Sequence, residues 1–121
     1  EVFAVLDDAR FASLFGENSR AEVPIAGIVA PGGRVSGQVD RLAVTEKEVL
    51  IADYKSDRAP PAGIAEISPN YIRQLALYRA VLRKLYPNHT VRAALVFTAG
   101  PVLIELPAEM LDAELSRLAA G

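Results

Sequence analysis

Three runs of strand-forming residues follow one another between Glu22 and Asp57, separated only by short polar turns. "EVPIAGIVA" passes through "PGG" into "RVSGQVDRLAVT", and "EKE" leads on to "VLIADYKSD". Connections this short join antiparallel neighbours, so the three runs read as a meander. A long amphipathic segment then precedes "VRAALVFT" and "VLIELP", two further strands split by "AGP". A helix of that length permits a crossover, which allows the fourth strand to lie parallel to the third and makes the sheet mixed.

The helix between strands three and four should run from about Pro69 to Tyr86. Ser68 stands at its N-cap and Pro69 at its first position. Tyr71, Leu75, Tyr78, Leu82 and Leu85 fall on one face at alternating spacings of four and three. "PNH" ends it, and "AEMLDAELSRLAAG" reads as a shorter helix closing on a glycine. Scattered apolar positions in residues 1–15 (Phe3, Leu6, Leu14) suggest an N-terminal helix, broken by "GENSRAE", so that residues 1–20 are a peripheral helix and linker. The order is α-βββ-α-ββ-α, an α/β fold with a mixed sheet of about five strands flanked by helices. With 121 residues, 51% of them hydrophobic, the chain can bury one core and forms a single domain, 1–121. It opens on Glu1 without a methionine and reads as a piece of something longer. The Pro-rich "RAPPAGIAEIS" is longer than an ordinary connector and is a candidate functional loop, with Arg58 and Pro60-Pro61 either touching a ligand or only linking strand to helix.

The third strand poses a physical question. Leu50, Ile51, Ala52 and Tyr54 suit a buried strand, yet Asp53 and Lys55 share one face of it. Burying even a neutral polar group unpaired costs roughly 2–7 kcal/mol. Either the two charges satisfy each other or something binds there. Asp40 lies on the preceding strand, 13 positions before Asp53 across a tight hairpin. Neighbouring strands are ~4.8 Å apart, so the two carboxylates converge if the register allows. Two carboxylates with a backbone carbonyl between them form a hard oxygen site suited to Mg²⁺, which keeps waters and takes phosphate as a further ligand. Lys55, on the face of Asp53, is placed to hold or deprotonate an attacking water whose pKa the metal lowers. Asp40, Asp53 and Lys55 are thus the minimum set for metal-assisted phosphodiester hydrolysis, with a plain ion pair as the structural alternative. Of the three lysines, Lys55 alone has an acid two places before it.

Charge and composition narrow the field further. The net charge of −2 does not advertise a free nucleic-acid binder. Its distribution is uneven. No Asp or Glu occurs from Ile67 to Ile104, while Arg73, Arg79, Arg83, Lys84 and Arg92 do. This tract either presents a phosphate-tolerant face or simply solvates a helix. The absence of cysteine excludes disulfides, thiolate zinc sites and iron–sulfur clusters, and fits a cytoplasmic setting. No apolar run approaches the ~18 residues of a membrane span. No Gly-x-x-x-x-Gly-Lys-Ser/Thr loop is present, so the fragment holds no ATP site of that kind.

"SGQVDRL", then "IADYKSDRAPP", then "YIRQLALYRAVL" resembles the RecB-family nuclease domain of the PD-(D/E)XK superfamily, with Gln74-x-x-x-Tyr78 as the family's helix pair. From Ala21 onward, through "VRAALVFTAGPVLIELPAEMLDAEL", the chain is similar to the C-terminal end of AddA-type subunits of bacterial double-strand-break helicase–nucleases, notably alphaproteobacterial ones. The resemblance implies a restriction-endonuclease-like core and Mg²⁺-dependent DNA cleavage, with Mn²⁺ able to substitute. It implies metal binding by Asp40, Asp53 and the carbonyl of Tyr54, and catalysis by Asp40, Asp53 and Lys55. Gln74, Tyr78, Arg73 and Glu22 would line the site or contact DNA. The implied partners are single-stranded DNA ends, helicase domains of a parent chain and a companion nuclease subunit, with no membrane. The family's metal-binding histidine, which precedes the first strand, has no counterpart: the one histidine, His89, follows the long helix and reads as a solvated turn residue. A standalone RecB-like nuclease and a non-catalytic DNA- or subunit-binding domain of the same fold are the alternatives.

Overall fold

The computed structural model describes residues 16, 19–30, 33–56, 59, 61–99 and 102–120. The expected helix over residues 1–15, the "PG" of the first turn, Arg58 and Pro60 lie outside the described residues.

The described residues form five strands and two α-helices. In chain order these are β1 (Ser19–Ala30), β2 (Gly33–Val44), β3 (Glu48–Lys55), α1 (Pro69–Leu85), β4 (Thr90–Phe97), β5 (Val102–Leu106) and α2 (Ala108–Ala120). The sheet order is β1-β2-β3-β4-β5. β1, β2 and β3 form the antiparallel meander, β3 and β4 are parallel across the α1 crossover, and β5 returns antiparallel to β4. The mixed α/β sheet expected from the sequence is therefore the fold. The loop before α1 also contains a 3₁₀ turn, Ile64–Glu66, which the sequence pattern did not suggest.

Both helices pack on one face of the sheet. Leu75, Tyr78, Val81 and Leu82 of α1 join Val39, Ile51, Leu95 and Phe97 of the strands in the main core, and Leu111 of α2 completes it. Leu75, Ile51, Leu95 and Phe97 are all fully buried, so truncating Leu75 to alanine costs about 2–5 kcal/mol. The other face holds a smaller buried cluster of Ala43, Leu50, Ala52, Ala94 and Val96. Beside it Arg92 forms a two-pronged contact with Glu105 (2.8 and 2.7 Å) and reaches Glu48 at 3.3 Å.

Two expectations about α1 and its flanks need correction, those on Leu85 and His89, while the N-cap holds without its side-chain bond. Leu85, the last residue of the helix, is 62% exposed, whereas Leu75, Tyr78 and Leu82 are buried. Ser68 occupies the N-cap position, but its side chain makes no capping bond; its carbonyl accepts the N–H groups of Tyr71 and Ile72 instead. His89 is half-buried rather than solvated: Nε2 lies 3.1 Å from the Thr45 carbonyl and the ring packs edge-on against Tyr86.

Candidate active site

The sheet is interrupted where the acidic residues lie. Along β2 the buried positions Val35 and Val39 alternate, and then the phase breaks, with Leu42 and Ala43 both buried. The β1–β2 ladder is interrupted at the same place: Ala21 pairs with Arg41 and Val23 with Val39, but Glu22 and Asp40 do not pair. Glu22 sits there at φ 55°, in the left-handed region that non-glycine residues rarely occupy. The β2–β3 ladder likewise ends at Arg41–Ala52, one rung short of Asp40 and Asp53. At this broken rung the Asp40 carboxylate substitutes for a strand carbonyl, and its Oδ2 accepts the main-chain N–H of Tyr54 at 2.7 Å.

Around that rung several side chains converge. Lys55 Nζ lies 2.7 Å from Asp53 Oδ2 and donates to Gln74 Oε1 at 2.8 Å. It also sits 4.3 Å above the centre of the Tyr71 ring, a cation–π contact. Gln74 Nε2 points in turn to the Tyr78 hydroxyl at 3.5 Å. Asp53 is only 4% exposed. Burial drives its pKa above the usual aspartate value; Lys55 opposes that rise and the nearby Asp40 carboxylate adds to it. A buried carboxylate held this way gains from any cation delivered beside it.

Lys55 presents its carbonyl to β4, where it accepts the Thr98 N–H. The adjacent residue Tyr54 therefore turns its own N–H and carbonyl to the β2 side, the side of Asp40. The groups that could hold a cation here are Asp40, Asp53 and this carbonyl. Among the described residues no group of three or more His, Cys, Asp or Glu side chains gathers anywhere. Mg²⁺ is commonly held by one or two carboxylates, with water and substrate phosphate filling the remaining positions, so the residues fit that ion. Zinc sites are built chiefly on Cys and His, and neither residue is among these groups.

The other residues singled out from sequence are spread around this centre. Gln74 and Tyr78 are brought to Lys55. Glu22 lies on the rung of Asp40 but is exposed and does not join the two aspartates in a cluster of acids. Arg73 is exposed on α1, one residue before Gln74. It borders an open groove of about 380 Å³ with Arg34, Ser36, Asn70, Gln74 and Tyr78. Two residues here carry no functional signal in the sequence. Helical spacing marks Tyr71 only as a core residue, although it precedes Gln74 by one turn, and Arg34 stands without a motif at the start of β2.

The acid-free tract does not form one basic face. Arg79 is buried, donating to the Val91 carbonyl at 3.1 Å and to Asp112 at 2.6 Å. Arg83 also reaches Asp112, Arg92 is held by Glu105 and Glu48, and Lys84 donates to the Ile28 carbonyl. Arg73 and Lys84 are the members of the tract that make no ion pair among the described residues, although the charge of Arg73 acts on Glu114 of α2, and Arg34 lies with Arg73 along the groove.

Comparison with known families settles the class. The family model of the PD-(D/E)XK nuclease superfamily matches residues 5–119. The chain belongs to the PD-(D/E)XK nuclease superfamily. Asp53-Tyr54-Lys55 has the acid-x-Lys form for which the superfamily is named, and it lies at the broken rung. The fold agrees with a crystal structure of a protein designated a candidate exonuclease of Eubacterium rectale, at TM-score 0.66 and 14% identity, over 98% of this chain and 47% of that one. SSO0001 gives TM-score 0.50 at 16% identity, over 94% and 57%. In sequence, 73 residues are 34% identical to an ATP-dependent helicase/nuclease subunit of Oenococcus oeni, covering 60% of this chain but only 6% of that protein. The chain thus spans a small part of the length of this relative. Among the described residues no helix is long and apolar enough to cross a membrane.

Proposed function

We propose that this chain is a Mg²⁺-dependent deoxyribonuclease domain, and that it forms the C-terminal part of an AddA-type ATP-dependent helicase–nuclease that processes double-strand breaks. The observation that carries the reading is the joining of Asp40, Asp53 and Lys55 at one broken rung, with Gln74 fixing the lysine. The partial match to a helicase/nuclease subunit supports the wider setting. A parent of that kind supplies ATP hydrolysis elsewhere and delivers unwound single strands, together with a companion nuclease subunit. This accounts for a domain whose net charge is −2.

The reaction is hydrolysis. A water oxygen bonds to phosphorus, the P–O bond to one sugar breaks, and the water proton is passed to the departing oxygen through solvent. Asp40, Asp53 and the Tyr54 carbonyl would hold a divalent cation, which would supply charge to screen the phosphate and to acidify water. The ammonium of Lys55 has three N–H donors. Asp53 and Gln74 engage two, which leaves the third to orient the nucleophilic water or a phosphate oxygen. The groove between Arg34 and Arg73 leads the DNA backbone to this point. Strand geometry places Arg34 about 20 Å along β2 from Asp40, several nucleotides from the cleaved bond.

Incubating the chain with a single-stranded oligonucleotide and Mg²⁺ or Mn²⁺ tests the reading. Wild type should shorten the strand, and Asp40→Asn and Lys55→Met should not. Cleavage that persists unchanged in both variants would remove these residues from the chemistry. Sequencing the parent gene upstream separates an AddA-type chain, which carries helicase motifs, from a standalone nuclease.

A further inference from the structure

We propose that Gly37 is a positioning residue for Lys55, acting through Tyr78 and Gln74; the proposal deepens the nuclease reading and rests on it for its catalytic consequence. Gly37 lies on β2, three residues before Asp40, where the Tyr78 ring from α1 comes down onto the strand. A Cβ at Gly37 would fall on the Tyr78 hydroxyl oxygen, and would lie 2.8 Å from Cζ and 2.9 Å from Cε1 of the same ring. Separations under about 3 Å are not tolerated, and Tyr78 as a whole is 8% exposed, so its ring is held between α1 and the sheet beside the groove. The missing side chain of Gly37 is therefore the space that the Tyr78 hydroxyl fills.

That hydroxyl matters because of what lies beyond it. Lys55 can only donate, so Gln74 must offer it the carbonyl oxygen. The amide nitrogen of Gln74 then points the other way and needs an acceptor, which the Tyr78 oxygen provides at 3.5 Å. At that length the bond is at its outer limit, and a shift of a few tenths of an ångström breaks it. Gln74 is then free to turn its amide, the 2.8 Å bond to Lys55 loses its fixed acceptor, and the ammonium is held by Asp53 and the Tyr71 ring alone. The line Gly37–Tyr78–Gln74–Lys55 thus couples a strand glycine to the lysine of the site. Gly27, on β1, is the natural control, since a Cβ there meets Val81 Cγ1 at 3.1 Å on the same helix but touches nothing in this line.

The test uses the fact that the chain has three lysines, Lys47, Lys55 and Lys84. Protein labelled with ¹³C-lysine gives three Cε–Hε signals, and that of Lys55 is displaced by the Tyr71 ring beneath it. In metal-free, DNA-free protein, Gly37→Ala should move the Lys55 signal toward those of the other two lysines, while Gly27→Ala should leave it in place. If Gly37→Ala does not fold, the same substitution in Tyr78→Leu protein keeps the question open to decision. With the ring gone, adding the methyl should change neither melting temperature nor the Lys55 signal relative to Tyr78→Leu alone. In cleavage, Gly37→Ala should lower kcat about a hundredfold, as a displacement near 1 Å does, with KM for the oligonucleotide unchanged within about twofold. A folded Gly37→Ala with an unmoved Lys55 signal overturns the proposal, as does an equal shift in Gly27→Ala or a further shift in the Tyr78→Leu background. Failure of the wild type to cut DNA overturns the nuclease reading instead, and the lysine signals still decide whether Gly37 positions Lys55.

Discussion

Asp40 reaches from β2 to the main-chain N–H of Tyr54 on β3, 2.7 Å away, on the rung where both neighbouring ladders break. A carboxylate that replaces a ladder carbonyl keeps its second oxygen for other work. Strand alternation brings Asp53 and Lys55 together on the face beneath α1.

The first consequence concerns stability against pH. Burial raises the pKa of Asp53 in the folded protein, while the unfolded chain titrates near the ordinary value of 3.8. Between those two values the folded state binds more protons, so this group makes the metal-free protein less stable as pH rises through the window. Asp53→Asn removes that slope. It should also abolish cleavage. Melting curves in EDTA from pH 3 to pH 8 check the slope; an Asp53→Asn protein whose melting temperature varies with pH just as in wild type contradicts the account.

Lys55→Met should destabilise the fold. It leaves Asp53 buried without its cation, which costs on the order of 3–5 kcal/mol when one partner of a buried pair is removed. Combining it with Asp53→Asn should recover most of that loss, because the stranded charge is gone. Denaturant titration of the two single variants and the double variant measures the recovery.

Arg34 and Arg73 should act on DNA binding rather than on chemistry. Replacing both with alanine should lower the slope of log K against log salt for a single strand by about 1.4, since each phosphate contact contributes ~0.7. Lys47→Ala, at the β2–β3 turn at the other end of the strands, should leave the slope unchanged. Fluorescence anisotropy over a salt series distinguishes the two.

Arg79 is a structural cation, not a DNA contact. Arg79→Met loses bonds to the Val91 carbonyl and to Asp112 and should destabilise the fold by roughly 1–3 kcal/mol. Its cleavage rate, measured well below the melting temperature, should stay within about twofold of wild type.

The sheet order was legible because turn length fixes antiparallel neighbours and one long helix implies one crossover. Asp53 and Lys55 were legible because alternation puts them on one face; Gln74 and Tyr78 were singled out by the family resemblance, while helical spacing says only that they share a face. The rest depends on tertiary contact. Which cations of the acid-free tract are neutralised was decided by Asp112, Glu105 and Glu48, none of which lies within it. The fit of Tyr78 over Gly37 and the Tyr71 ring under Lys55 join separate elements that no local pattern relates. His89 gave a turn signal correctly, but its bond to Thr45 connects two loops 44 residues apart. The conformation of Glu22, at φ 55°, had no signature in a run of strand formers.

The central claim is that Asp40 and Asp53 together hold a divalent cation. Calorimetric titration of Mn²⁺ into wild type, Asp40→Asn and Asp53→Asn tests it most directly. The account predicts one class of binding in wild type that both substitutions abolish; indistinguishable heats in the three folded proteins at millimolar metal would contradict it.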